Sequence, residues 1–276
     1  MGDTPKLDTQ LVEALNREYR LTPTVPAPAG LGREDRGARA AHVAARLDRL
    51  VGLRGRTILE IGCGAGDLAF ELAGNYGAYV TGIDIGERED WKTLRHPNLT
   101  LSAHDVTAGE CALPENGFDR IISRAVWEHI RHPFAALVQC RRLLCPAGKK
   151  YLYANLYRSA IASHLYRTLF FPWPHLLFSH DVLASWLDVE RIGGAYWVNK
   201  LTYAQYLCYF RKLGFYITHE RLETRAIDRA FYDRFEDRLG LYPRFDLELD
   251  FFEVVLEFDR TNPKAPIPDP MYRTGA

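Results

Sequence analysis

Hydrophobic and polar positions follow a repeating strand-then-helix order along the centre of the chain. Short apolar runs of the kind found in buried strands are separated by segments with apolar residues at every third or fourth position, as in amphipathic helices. The pattern predicts strands over Thr57–Ile61, Tyr79–Ile83, Asn98–Ala103, Phe118–Ser123 and Lys149–Asn155, and helices over Asp67–Ala73 and Pro133–Leu144. Such alternation favours right-handed crossovers and a mostly parallel sheet with helices on both faces. We therefore predict an α/β protein with a Rossmann-like, doubly wound sheet.

Segments on both sides of this core extend the prediction. Before it, helical spacing covers Leu7–Tyr19 and Ala38–Leu50, separated by a stretch rich in proline and glycine, Thr22–Gly37. After it, Tyr157–Lys200 breaks the rhythm and is predicted to be an inserted, mainly helical cap. The alternation then resumes with a helix over Thr202–Leu213, a strand over Phe215–Leu222, a helix over Ala226–Leu239 and a seventh strand over Phe251–Phe258. We therefore divide the chain into an N-terminal helical arm (1–55), a core (56–156), the cap (157–200), the remainder of the core sheet (201–260) and a loose tail (261–276).

Charge and composition exclude several classes of partner. Thirty-five Lys and Arg balance 35 Asp and Glu, so no broad basic face is expected and nucleic acid is disfavoured as a partner. The longest apolar run, Leu169–Phe178, is short and contains two prolines, so no membrane span is expected. Five cysteines without a CxxC pair indicate reduced thiols in a cytoplasmic protein rather than a disulfide framework or a zinc site.

Aromatic residues are unevenly distributed along the chain. Of the 34 Phe, Tyr and Trp, 17 lie between Tyr151 and Tyr216. A second hydrophobic core under the cap would account for most of them. A few could instead line an apolar pocket with polar groups, which would suit a ring-bearing or otherwise apolar small molecule.

A glycine-rich turn between the first strand and the first core helix carries the strongest chemical signal. It reads Glu60-Ile-Gly-Cys-Gly-Ala-Gly66-Asp67, with GxGxG spacing instead of the GxGxxG of dinucleotide binders. Asp67 begins the following helix, where a carboxylate would compete with a phosphate for the positive end of the helix dipole. The second strand ends at Asp84, and an acid there can accept hydrogen bonds from ribose hydroxyls. The turn therefore favours a nucleoside ligand without phosphates.

These residues resemble the class I S-adenosylmethionine-dependent methyltransferases. The turn matches that family's first motif, and Asp84 matches its ribose-binding acid. Further segments are similar in the same order: His104-Asp105-Val106 after the third strand, Phe118 to Ile130 around the fourth, Leu143 to Gly148 before the fifth and Leu213-Gly-Phe215 before a late strand. The resemblance implies that 56–156 is the part that binds S-adenosyl-L-methionine, with S-adenosyl-L-homocysteine as the product.

The resemblance also implies a set of site residues. Cofactor contacts are expected from the turn, from the ends of the second and third strands and from the end of the fourth: Glu60, Gly62, Cys63, Gly64, Gly66, Asp84, Ile85, His104, Asp105, Val106 and Arg124. Substrate contacts are expected from Trp127, His129, Asn155, Tyr157, Trp173, Tyr196 and Trp197. His129 is the candidate general base, because imidazole accepts a proton near neutral pH; the alternative is that it packs against the cofactor or a helix. No metal is expected.

Three functions stay open at this point. The first is methyl transfer to an O, N or C atom of a small, aromatic or apolar molecule. The second is a different reaction of the same cofactor, cyclisation or elimination at its aminocarboxypropyl group. The third is a cofactor-binding module without catalysis. The sequence also leaves a homodimer open.

Overall fold

The computed structural model describes residues 6–25, 33–108, 113–190, 192 and 199–258, with the side chains of residues 33 and 34 left aside. Within these residues a seven-stranded sheet has the order β3-β2-β1-β4-β5-β7-β6. Its strands are β1 (Thr57–Ile61), β2 (Tyr79–Asp84), β3 (Leu99–Ala103), β4 (Phe118–Arg124), β5 (Leu144–Asn155), β6 (Phe215–Thr224) and β7 (Leu249–Phe258). The predicted Rossmann-like sheet is confirmed.

The strand pairs on either side of β1 are parallel. β1 pairs with β2 and β4, β2 with β3, and β4 with β5. Four of the five residues of β1 are buried, as expected for a parallel strand covered on both faces. In this arrangement the carboxyl ends of β1 to β5 lie along one edge of the sheet, and ligands bind at that edge in open α/β sheets.

The described helices are α1 (Thr9–Glu18), α2 (Arg33–Val51), α3 (Asp67–Tyr76), α4 (Pro133–Leu143), α5 (Pro174–Leu177), α6 (His180–Trp186), α7 (Tyr203–Lys212), α8 (Arg229–Arg234), α9 (Glu236–Leu239) and α10 (Arg244–Glu248), with 3-10 turns at Glu89–Thr93 and Trp127–His129. α2 begins at Arg33, inside the proline- and glycine-rich stretch Thr22–Gly37 and five residues before the predicted start at Ala38. The single helix predicted over Ala226–Leu239 is wrong: Phe235 has a non-helical backbone and separates α8 from α9. None of the described helices has the length and apolar character needed to cross a membrane.

The chain divides into two compact units. The sheet unit contains the described residues of Gly30–Ala154, Ala204–Arg221 and Glu253–Ala276. The helical unit contains those of Met1–Ala29, Asn155–Tyr203 and Leu222–Phe252. The helical arm and the inserted cap, as drawn from the sequence, stay predictions.

Each unit has its own hydrophobic core. In the sheet unit, side chains of α2, α3, β1 and β2 pack together, among them Leu47, Ile58 and Leu72. In the helical unit the core combines aliphatic side chains with a group of aromatic rings, in which Phe171 is stacked on Phe231 at 6.3 Å between ring centroids and Trp173 lies 6.2 Å from the same ring. Five of the 17 aromatic residues between Tyr151 and Tyr216 belong to this core or pack against it: Tyr166, Phe171, Trp173, Phe178 and Trp186.

Candidate functional site

The glycine-rich turn leaves β1 at the carboxyl edge of the sheet and enters α3. Its three glycines have left-handed backbones, with φ of 75° at Gly62, 53° at Gly64 and 87° at Gly66. The backbone amides of Gly62 and Cys63 both donate to the Ile83 carbonyl, at 2.7 and 3.0 Å. The turn is therefore attached to the end of β2.

Gly64 is the open point of the turn. A Cβ atom built on Gly64 would meet no atom within 4 Å, whereas one on Gly62 would overlap Val126 and one on Gly66 would lie 2.8 Å from Leu94. The backbone of Gly64 can therefore be approached closely by a ligand. Among the three glycines, this open face is the feature that most directly fits the predicted cofactor.

Asp84 lies directly beside this open face. Its Oδ2 atom accepts a hydrogen bond from the Gly64 amide at 2.8 Å, and its Oδ1 atom accepts one from the Ile85 amide at 2.8 Å. The guanidinium of Arg88 lies 3.5 Å from Oδ1. A carboxylate has about four acceptor positions, so Asp84 retains capacity for ribose hydroxyls. Ile85, the next residue, is 85% exposed and offers an apolar surface at the same place.

Glu60 is a buried carboxyl at the carboxyl end of β1. Burial raises its pKa to about 8; the charge of Arg124 and a hydrogen bond from the Ala69 amide act in the opposite direction. Its Oε2 atom is buried without a hydrogen-bond partner among the described residues. A buried carboxyl with an unused acceptor atom fits a cationic or hydrogen-bond-donating ligand group.

The residues after β3 occupy the neighbouring position at the same edge. The His104 amide donates to the Asp84 carbonyl at 2.7 Å, which connects the end of β3 to that of β2. The carboxylate of Asp105 is exposed, and its Oδ1 atom accepts bonds from the amide and hydroxyl of Thr107 at 2.8 and 2.7 Å. Val106 is buried. Sequence analysis therefore placed these three residues correctly at the edge; their contact with a cofactor stays a prediction.

The end of β4 contributes Arg124, and the 3-10 turn after it contributes Trp127 and His129. The Arg124 guanidinium lies 5.4 Å from the centroid of the Tyr153 ring, and His129 is half-buried at the end of a 3-10 turn. Trp127 is fully buried, with the Lys150 ammonium 4.5 Å from its ring centroid. The structure therefore gives Trp127 a place in the interior, where its ring presents no surface to a substrate.

The predicted substrate residues of the helical unit are placed differently. Trp173 is a core residue: its ring is 2% exposed and its indole N–H donates to the Arg158 carbonyl at 3.1 Å, which corrects its assignment to the substrate site. Asn155 is buried at the end of β5, where its amide donates to the Asp250 carbonyl at 2.6 Å. Tyr157 is half-buried, 5.2 Å from the His175 ring. Tyr196 and Trp197 lie outside the described residues.

Trp91 is a neighbour of the site that sequence analysis missed. It lies in the 3-10 turn after β2, is 8% exposed and donates its indole N–H to the Gly64 carbonyl at 2.7 Å. Trp91 is the only aromatic residue in the mostly charged segment Glu87–Arg95, and this was the available signal for a buried contact.

Comparisons with known proteins agree with this geometry. Residues 59–152 match the family described as methyltransferase domain. The ubiquinone biosynthesis O-methyltransferase of Pseudomonas paraeruginosa is 34% identical over 110 residues, which are 38% of this chain and 47% of that protein. The tRNA U34 carboxymethyltransferase of Pseudoalteromonas translucida is 35% identical over 100 residues, 35% of this chain and 31% of that protein. The chain thus spans less than half the length of these relatives.

Solved structures extend the likeness in fold to most of the chain. An S-adenosylmethionine-dependent methyltransferase from Mesorhizobium loti has a TM-score of 0.53 at 18% identity, covering 80% of this chain and 99% of its own. The phosphoethanolamine N-methyltransferase 2 of Haemonchus contortus, solved with phosphomonomethylethanolamine and S-adenosylhomocysteine, has a TM-score of 0.51 at 16% identity and covers 79% of this chain and 53% of its own. At these identities the likeness is one of fold.

Proposed function

Because residues 59–152 match the methyltransferase domain family, we propose that this protein is an enzyme that transfers a methyl group from S-adenosyl-L-methionine to a small molecule. The observation that carries the proposal is the pairing of Asp84 with Gly64. It combines an acid that can hold ribose hydroxyls with a backbone that a ligand can approach, at the sheet edge where such ligands bind.

The chemical character of the turn supports this cofactor over a dinucleotide. Asp67 begins α3, and its carboxylate would repel a phosphate at the position where a pyrophosphate normally binds. The carboxyl groups of Glu60 and Asp84 lie on either side of the turn, and acidic groups suit a ligand that carries a sulfonium and an ammonium. We assign Asp84 and Ile85 to the adenosine part and Glu60 and Arg124 to the amino-acid part. The raised pKa of Glu60 keeps its carboxyl protonated in the empty site, and an ammonium bound beside it would favour its charged form, while Arg124 would face the carboxylate.

In the proposed reaction the bound cofactor supplies an electrophilic methyl group on its sulfonium. The glycine turn and Asp84 hold the adenosine so that the methyl group has one fixed direction, and such alignment is the largest contribution that this chain can make to the rate. A hydroxyl acceptor must lose its proton before or during the attack, whereas a neutral amine attacks through its lone pair. We propose that His129, at the carboxyl end of β4, takes that proton when the acceptor is a hydroxyl group.

The acceptor is proposed to be a small aromatic or apolar molecule. Balanced charge supports this class, because a tRNA-sized polyanion requires a basic face. The name of the first relative, a ubiquinone biosynthesis O-methyltransferase, is consistent with a small acceptor, but its match covers only 38% of the chain. A cytoplasmic location and a homodimer stay predictions.

The proposal can be tested with S-adenosylmethionine that carries a deuterated methyl group. The full chain is incubated with this reagent, a small-molecule extract and total tRNA, and the products are followed by mass spectrometry. We expect the label in the small-molecule fraction and S-adenosylhomocysteine as by-product, both lost in Asp84→Asn. Label in the tRNA would contradict the acceptor class.

The second candidate is a reaction of the same cofactor without methyl transfer. The relative named tRNA U34 carboxymethyltransferase is named for the transfer of another group, so the domain alone leaves the transferred group open. The same experiment separates the two, because attack at the aminocarboxypropyl carbon releases methylthioadenosine that retains the deuterated methyl group. If the protein binds the cofactor but forms neither S-adenosylhomocysteine nor methylthioadenosine, a cofactor-binding module without catalysis is the function that fits.

A further inference from the structure

The indole of Trp91 makes a specific contact with the turn that the proposed cofactor would use. Its Nε1–H donates to the Gly64 carbonyl at 2.7 Å, and its ring carbon lies 3.6 Å from the place where a Cβ on Gly66 would stand. The ring is almost completely buried. Trp91 therefore contacts the back of the turn and leaves the open face of Gly64 accessible.

Both peptide groups of Gly64 are thus held, one by the last residue of β2 and the other by the 3-10 turn that follows β2. The amide N–H donates to Asp84, and the carbonyl accepts from Trp91. Glycine has more backbone freedom than any other residue, and Gly64 has no side chain to restrict it. Two hydrogen bonds that fix the peptide groups before and after Gly64 select one of its many conformations.

The 3-10 turn that carries Trp91 is itself anchored in the sheet unit. Arg36 of α2 forms ion pairs with Asp90 at 3.1 Å and with Asp67 at 3.7 Å. Arg95 donates to the Trp91 carbonyl at 2.9 Å. Asp90 precedes Trp91, and Asp67 begins α3. Arg36 therefore connects the 3-10 turn that carries Trp91 to α3, the helix that follows the glycine turn. The backbone around Trp91 is therefore held by Arg36 through Asp90 and by Arg95 through the Trp91 carbonyl.

We propose that Trp91 is a positioning residue that holds the Gly64 peptide groups in the conformation that binds S-adenosylmethionine. The inference rests on the proposed function. Trp91 acts through Gly64 and does not touch the cofactor. Without the indole N–H, Gly64 would spend only part of its time in the binding conformation, and the apparent affinity falls by that fraction.

The test compares wild type with Trp91→Phe, which keeps an aromatic ring but has no N–H. We expect the Kd for S-adenosylhomocysteine and the KM for S-adenosylmethionine to rise about tenfold, the effect of one lost hydrogen bond to a carbonyl. kcat at saturating cofactor should change by less than about twofold, because saturation restores the binding conformation. Amide hydrogen exchange should become faster in residues 62–66.

A matched control is Trp186→Phe in the helical unit, where the indole N–H donates to Glu13 at 3.1 Å. This variant should leave Kd, KM and exchange in the glycine turn unchanged. If Trp91→Phe folds poorly, 3-benzothienylalanine is introduced at position 91 instead, since it keeps the two-ring shape of indole and lacks only the N–H. It should give the same rise in Kd.

Calorimetry separates the possible outcomes because it reports the number of sites per chain and the Kd independently. A variant at position 91 that binds with fewer sites per chain but an unchanged Kd contains misfolded molecules. That result would overturn the inference and leave Trp91 as a packing residue. If wild type itself fails to bind S-adenosylhomocysteine, the proposed function fails. If wild type binds and both variants bind equally well, only the role of Trp91 fails.

Discussion

Gly62 and Val126 approach each other so closely that residue 62 has no room for a side chain. A Cβ on Gly62 would overlap both methyl groups of Val126, and the backbone φ of +75° disfavours any other residue independently. The contact brings the segment after β4 directly against the start of the glycine turn. It explains why the first glycine of the turn is structural, whereas Gly64 is open.

The two glycines should therefore respond differently to alanine. Gly62→Ala should lower the free energy of unfolding by about 3 kcal/mol or more, since left-handed strain costs about 1–2 kcal/mol and overpacking a similar amount. Gly64→Ala should cost only about 1–2 kcal/mol, because it carries the strain without the overlap, yet it should weaken binding of S-adenosylhomocysteine more than tenfold. Urea unfolding and calorimetry measure both. Equal losses of stability would contradict the assignment.

The buried carboxyl of Glu60 should make stability depend on pH. Its pKa is about 8 in the folded protein against an ordinary 4.5, so the folded state holds a proton that the unfolded state releases. Stability should then fall as pH rises from about 4.5 to 8. Glu60→Gln, which stays neutral, should be more stable than wild type at pH 8 and nearly equal to it at pH 5. Thermal unfolding at the two pH values checks this, and a difference that is independent of pH would refute it.

Glu253 of β7 should have the opposite pH dependence. Its buried carboxylate accepts bonds from Arg46 at 2.6 Å, His219 at 3.0 Å and Tyr151 at 3.0 Å. Burial acts to raise its pKa, but these hydrogen bonds outweigh burial and lower it overall. Its stabilising contribution is therefore present at neutral pH and lost as pH falls through the lowered pKa.

Glu253→Gln should accordingly lower the free energy of unfolding by about 2–3 kcal/mol at pH 7, because it replaces the charged acceptor of the hydrogen bonds from Arg46, His219 and Tyr151. The loss should shrink in acid. The control is Glu257→Gln, which breaks a partly exposed pair with Lys149 and should cost at most about 1 kcal/mol. Denaturant titrations at pH 7 and pH 4 compare the two. A similar loss in the free energy of unfolding for both variants would show that the hydrogen bonds of Glu253 stabilise the fold no more than an exposed ion pair does.

The proposed base gives a kinetic prediction. His129→Asn should lower kcat about 100-fold or more for a hydroxyl acceptor and leave the Kd for S-adenosylhomocysteine within about twofold of wild type. The neighbouring His132→Asn serves as control, since His132 is exposed at the start of α4. Steady-state rates with the acceptor found in the labelling experiment provide the measurement. An unchanged kcat would assign His129 to packing.

The sheet and the cofactor turn could be predicted because their signals are local. Each strand from β1 to β4 contains a short run of apolar positions, and the turn between β1 and α3 is marked by three glycines, whereas β5 begins at Leu144, five residues before the predicted Lys149. Asp84 and Glu60 could be predicted as site residues because Asp84 is the last residue of β2 and Glu60 is the last but one of β1. A motif of adjacent residues was therefore enough to predict that the turn and the two acids lie at the carboxyl ends of the strands.

The features that could not be predicted depend on contacts between residues far apart in sequence. Glu253 is buried with partners at positions 46, 151 and 219, and no pattern around any of them indicates the network. Trp173 looked like a pocket residue because it follows β5 in an aromatic stretch, but its neighbours Phe171 and Phe231 make it core. Trp91 was missed because its partner is a backbone carbonyl, which sequence does not mark.

The central claim is that the Asp84–Gly64 pair holds the adenosine of S-adenosylmethionine, and calorimetric titration with S-adenosylhomocysteine tests it most directly. We predict one site per chain in wild type, binding at least tenfold weaker in Asp84→Asn, and unchanged binding in Asp181→Asn, whose side chain is fully exposed. The absence of binding to wild type, or equal affinity in wild type and Asp84→Asn, would contradict the claim.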